Sequence, residues 1–196
     1  MPDRLKRIPD GETGERKFFT RWQITALKDK VPQVIAPLAA NQAVQKIALS
    51  ADEIEKGNAQ LLDLDFETRY DDVAIESYAT FKKLKDQGHI PKETRFQVCL
   101  PTSNNVAYTA YHQFRETLFD VHEKALFKAI GRIQDEIPHE ELSIQIDLAI
   151  DTALWEGVFE TTWLDDPKEG VMDCILRLIS QIEQDVEVGI HNCYGL

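Results

Sequence analysis

No stretch of this chain approaches the eighteen or so consecutive apolar residues of a membrane-spanning helix. Residues 1–16 are strongly polar, so a cleavable leader with an apolar centre is not expected either. Cysteine is scarce. Cys99, Cys174 and Cys193 form an odd set without the spacing of a disulfide framework, which predicts reduced thiols and a cytoplasmic protein. Basic residues are outnumbered 22 to 34, and a net charge of -12 argues against nucleic acid or an anionic membrane as partner. The one basic cluster, Arg4, Lys6, Arg7, Arg16, Lys17 and Arg21, reads as solvated or ion-paired. A dinucleotide-binding glycine fingerprint, a Walker phosphate loop and a Gly-x-Ser-x-Gly elbow are all missing, so neither a nucleotide cofactor nor serine hydrolysis has support.

What is present is one domain's worth of ordinary globular sequence: 196 residues, 43% hydrophobic. Arg4 to Ile8 predicts a short strand closed by the turn residues Pro9-Asp10-Gly11. Phe18, Phe19, Trp22, Ile24 and Leu27 predict a buried helix. From 31 to 65 the periodicity is poor, which predicts an irregular insertion of the lid or interface kind, with a short helix at Ala51 to Lys56. A helix over Tyr70 to Gln87 follows, then a strand over Arg95 to Leu100. A long helix over about Gln113 to Glu136 carries His122 on its apolar stripe, where it reads as a core histidine rather than a ligand. A strand over Leu142 to Asp147, a helix bearing Val171, Ile175 and Leu178, and a last strand from Val186 complete the order.

Alternating strands and helices predict a parallel sheet, with ligands bound beyond the carboxyl ends of its strands. That rule selects Asp10 and Glu12, then Thr102, Ser103 and Asn104, then Asp147, and finally His191 and Cys193. Each cluster also has a plainer reading. The Asp10 loop can be a solvated turn before a helix, and Thr102 to Asn105 can be turn formers. His191 and Cys193, two apart near a strand end, fall on one face and suit a soft metal or nucleophilic chemistry.

Four segments carry a family resemblance: Arg7-Ile8-Pro9-Asp10-Gly11-Glu12-Thr13-Gly14-Glu15-Arg16, Arg95-Phe96-Gln97-Val98-Cys99-Leu100-Pro101-Thr102, Ile144-Gln145-Ile146-Asp147 and His191-Asn192-Cys193-Tyr194-Gly195. Together the chain resembles the superfamily that contains uroporphyrinogen decarboxylase and cobalamin-independent methionine synthase. The resemblance implies a (β/α)8 barrel with its active site at the C-terminal mouth. It also implies that His191 and Cys193 match two zinc ligands of the methionine synthase branch. Asp147 matches the aspartate that there holds the amino group of the thiol substrate. Only about four βα units are expected, a partial barrel, and the later glutamate and cysteine ligands of that branch have no counterpart. A closed zinc site within one chain is therefore not expected, and a homodimer is expected to protect the open sheet edges.

Three functions remain in play. The first is a small-molecule enzyme of lyase, cyclase or dehydratase type, with Asp147, Asp10 and Glu12 as acid and base and His191 as proton shuttle. Thr102, Ser103, Asn104, Trp155 and Tyr194 would contact its substrate. The second is a zinc-dependent thiol methyltransferase using His191 and Cys193, with the missing ligands supplied by Cys99, Asp147 or a neighbouring subunit. The third is a non-catalytic binding module.

Overall fold

The structure, a computed structural model, describes residues 5–17, 19–36, 48–158 and 163–193. Four strands, β1 (Arg7–Pro9), β2 (Arg95–Pro101), β3 (Leu142–Leu148) and β4 (Glu187–Asn192), form one parallel sheet in the order β1-β2-β3-β4. Seven α-helices lie among the described residues: α1 (Phe19–Lys30), α2 (Ala51–Leu62), α3 (Tyr70–Asp86), α4 (Ser103–Ala107), α5 (Arg115–Glu136), α6 (Ile150–Trp155) and α7 (Pro167–Ile179). The α/β class and the parallel sheet expected from the sequence are thus present.

Side-chain alternation along the strands decides where the core lies. Phe96, Val98 and Leu100 of β2 and Leu142, Ile144 and Ile146 of β3 share one face. They pack against Tyr78 and Phe81 of α3, Leu126, Ile130 and Ile133 of α5, and Cys174 and Leu178 of α7. The residues between them, Arg95, Gln97 and Cys99 on β2 and Ser143, Gln145 and Asp147 on β3, give the opposite face its polar character. Across that face Arg7 of β1 pairs with Glu187 of β4, and Arg95 Nε lies 3.4 Å from the other Glu187 oxygen. The bridge links the first strand to the last across the polar face.

The excursion between α1 and α3 is more regular than its sequence suggests. A capping box at Ser50 and Glu53 starts α2, which runs to Leu62 rather than stopping near Lys56. Val31, Val34 and Ile35, with Leu61 of α2, join Leu27 of α1, Val106 of α4, Phe114 just before α5 and Leu118 within it in a second core. The described part of this segment is therefore packed wall rather than lid. The poor periodicity reflects short pieces, each burying only two or three side chains; residues 37–47 lie outside the described residues.

Gly57 shows how tightly that wall is fitted. A Cβ at this position would stand 2.4 Å from the buried ring of Phe114. Helix propensity alone favours alanine over glycine by about 1 kcal/mol, but overpacking a core costs about 1–3 kcal/mol. Phe114 is only 1% exposed and has little room to yield, so the steric effect wins. Gly57→Ala is expected to lower the denaturation midpoint in urea, whereas a stabilised variant would show the contact to be soft.

Candidate active site at the carboxyl ends of the strands

Asp10 follows β1 and extends its ladder, its N–H donating to the Gln97 carbonyl at 3.2 Å. Its carboxylate accepts from Arg16 Nη1 at 2.5 Å and Nη2 at 3.4 Å, and from the Glu12 N–H at 3.4 Å. Arg16 belongs to the short 3-10 turn Gly14–Lys17, so the ion pair folds the loop back on its own strand. Glu12, between the two, sits at φ +39°, a region that costs a non-glycine residue energy and recurs at functional sites. Its carboxyl titrates above the usual carboxylate range, first because it is half-buried, then because Asp147 and Asp10 are close; Arg16 opposes the shift.

Asp147 closes the group from β3. It is 8% exposed and accepts from Gln145 Nε2 at 2.8 Å and from His191 Nδ1 at 3.1 Å. Burial raises its pKa, with both hydrogen bonds pulling the other way. An ionised carboxylate can only accept, so the Asp147–His191 pair places the imidazole proton on Nδ1 and leaves Nε2 as an acceptor. The His191 side chain is 54% exposed, which puts that nitrogen within reach of a ligand. The direct register Asp147↔His191 makes the pairing a consequence of strand alignment.

Behind the carboxylates is a cavity of about 30 Å³, lined by Asp10, Glu12, Arg16, Trp22, Tyr70 and Cys99 among others. It has room for a water or two, or for one functional group of a larger molecule. Asp147 and His191 lie outside its lining, on the polar sheet face alongside. The Cys99 thiol is pushed up to about 11, chiefly by burial, with Asp147, Glu12 and Asp10 adding to the effect. A thiol that stays protonated at neutral pH is no nucleophile. Tyr70 is also driven well above its ordinary value by burial and then by Glu12 and Asp147. Tyr70 and Arg16 were not singled out from the sequence as site residues, Trp22 was read as core, and Cys99 entered only as a possible further zinc ligand; its position on the same strand face as Gln97 gives Cys99 its place here.

The other predicted residues are placed differently. Thr102, Ser103 and Asn104 are fully buried and turn inward, away from the polar sheet face. The Thr102 hydroxyl lies 2.8 and 2.7 Å from the two oxygens of Asp151, and Asn104 Nδ2 donates to Asp151 at 2.7 Å. Asn105 Nδ2 reaches the same carboxylate at 3.2 Å and the Asp147 carbonyl at 3.3 Å, while its Oδ1 accepts from the Ile150 N–H at 2.9 Å. These amides and hydroxyl lock α4 and α6 onto the end of β3. Ser103 Oγ pairs with His122 Nδ1 at 2.9 Å; burial takes that imidazole down to about 3, so it is a neutral core residue. Trp155 is 39% exposed and lines a separate cavity with Thr152, Met172 and Asn192. Cys193 is half-buried just past β4, and Tyr194 lies outside the described residues.

Among the described residues no group of three or more His, Cys, Asp or Glu side chains is arranged to hold a metal ion. His191 and Cys193 alone do not make the four-ligand set that zinc takes, and His191 Nδ1 is engaged by Asp147. No described helix is long and apolar enough to cross a membrane. No protein-family model, no curated protein and no solved structure matches the chain.

Asp151 offers a test of this electrostatic picture. It is 0% exposed, held by neutral donors, and its pKa lies above the unfolded value of 3.8 because burial outweighs the hydrogen bonds. The folded chain therefore binds this proton more tightly than the unfolded chain does. Raising the pH from 3.8 through the folded-state pKa removes that advantage and lowers stability. Asp151→Asn abolishes the titration but loses one acceptor. Relative to the wild type, the variant should gain stability as pH rises through that interval, measured by urea denaturation at stepped pH. A difference that stays flat with pH would contradict the assignment.

Proposed function

We propose that the chain is a small-molecule enzyme working by general acid–base chemistry, of the kind found in the superfamily of uroporphyrinogen decarboxylase and cobalamin-independent methionine synthase. The reading places its sheet as part of a (β/α)8-type wall and its site at the mouth. Two features support the wall: successive strands are neighbours, and helices α3, α5 and α7 gather on one face. The observation that carries the catalytic part is the meeting of Asp10 and Glu12 from β1, Asp147 from β3 and His191 from β4 at the same end of the sheet.

The chemistry follows from the two kinds of environment. His191 Nε2 accepts a proton from a substrate C–H beside an electron-withdrawing group, and Asp147 stabilises the imidazolium that results. Glu12, which holds its proton to higher pH than an ordinary carboxyl, donates it to a departing hydroxyl. The C–H electron pair becomes the new C=C bond, the C–O bond breaks and water leaves. Dehydratase and lyase reactions share this proton inventory. The Arg16–Asp10 pair holds the Glu12 loop in place. Zinc-dependent methyl transfer has less support, because the described residues gather no group of three or more ligating side chains.

Turnover of a panel of 2- and 3-hydroxy acids and related esters, followed by the absorbance of the new double bond, tests this. Asp147→Asn and His191→Ala should each reduce kcat by about 10²–10⁴-fold with the far-UV circular dichroism unchanged. Variants that still bind the ligand calorimetrically but no longer turn it over distinguish an enzyme from a binding module. Full turnover in both variants would remove the assignment.

A further inference from the structure

The two outer edges of the sheet are built differently. On β1 the Lys6 carbonyl and the Asp10 N–H bond to β2, so alternation turns Arg7 and Pro9 outward. The strand is three residues long and Pro9 has no N–H to offer, two features that blunt an edge. β4 is six residues long, pairs with β3 on one side, and has no described strand on the other. Its helix-side residues Val188 and Ile190 are 38% and 53% exposed, although their register partners Ile144 and Ile146 are buried. The cavity that Asn192 shares with Trp155, Met172 and Ile175, about 220 Å³, continues this apolar surface onto α6 and α7.

We propose that this edge pairs with a second copy of the chain, β4 against β4, antiparallel about a twofold axis through Gly189. The sequence Glu187-Val188-Gly189-Ile190-His191 is self-complementary under that operation. Val188 faces Ile190 of the second copy on the helix side. Glu187, which its own chain pairs with Arg7 and Arg95, faces the second copy's His191 on the polar side. Gly189 meets itself with no side chain at the axis, and a Cβ there has nothing within 4 Å. Moving the axis by one residue sets Glu187 or His191 against Gly189 and destroys the match. The result is one continuous eight-stranded sheet in which each copy brings Glu187 up to the other's His191. The pairing does not rest on the catalytic reading.

Sedimentation velocity of the 196-residue chain at micromolar concentration should give twice the 22.4 kDa of one copy. Ile190→Asp, at an exposed position, should return it to one copy with unchanged circular dichroism. Opposed Cα atoms in an antiparallel pair lie about 4.5–5.5 Å apart, within disulfide reach. Gly189→Cys should therefore cross-link to itself on oxidation above the wild-type background, and Val188→Cys, which faces position 190, should not. A monomeric wild type leaves the edge to some other occupant and overturns the proposal. So does a dimer that survives Ile190→Asp or that Gly189→Cys fails to lock.

Discussion

Side chains leave β2 and β3 alternately, and that alternation sends Phe96, Val98, Leu100, Ile144 and Ile146 to the helices while Gln97, Cys99, Gln145 and Asp147 face the other way. Burial of the first set is the main source of stabilisation, at roughly 25 cal/mol for each Å² of apolar surface removed from water. The second set comes with it at no choice of its own. Because the strands are parallel and in register, their carboxyl ends share one rim, and whatever follows each strand is delivered there. Asp10, Asp147 and His191 meet as a consequence of how the apolar face is paired.

Carboxylates at this end of the molecule are held in three distinct ways. Asp10 has a guanidinium, Asp147 has an imidazole and an amide, and Asp151 has only neutral donors. A buried carboxyl without a cation is costly to ionise, and Asp151 is compensated by three side chains that fix two short helices. Its polarity serves the architecture. Asp147 sits at the boundary, still buried but with a partner whose far side reaches solvent. Glu12 is half-buried on a left-handed backbone, with two carboxylates near it whose effect Arg16 opposes.

Most of the fold was legible because strong local signals agreed with one another: period-two strands, long amphipathic helices, and Gly88 or Pro138 after them. The placing of Asp10, Glu12, Asp147 and His191 at the strand ends was legible by the same alternation. The strand-end rule misjudged the orientation of Thr102, Ser103 and Asn104. There α4 begins immediately after β2, and its first turn is swallowed between α5 and α6, so the side chains turn inward to Asp151 and His122. Trp22 and Tyr70 reach the site only through helix packing, edge to face at 5.4 Å, and no short-range pattern encodes that. The extent of α2 was hidden for a related reason. Its apolar side is completed by residues far away in the chain, such as Phe114.

Strand order that equals chain order has a consequence for how the molecule is made. Each new strand adds to the edge exposed by the one before it, so the sheet can grow during synthesis without rearranging what is already paired. The bridge between Arg7 and Glu187 is the exception, since it joins the first strand to the last and cannot close until both have emerged. It contributes little energy at a half-exposed position. What it adds is a link from the first strand to the last, made only once the whole sheet is in place.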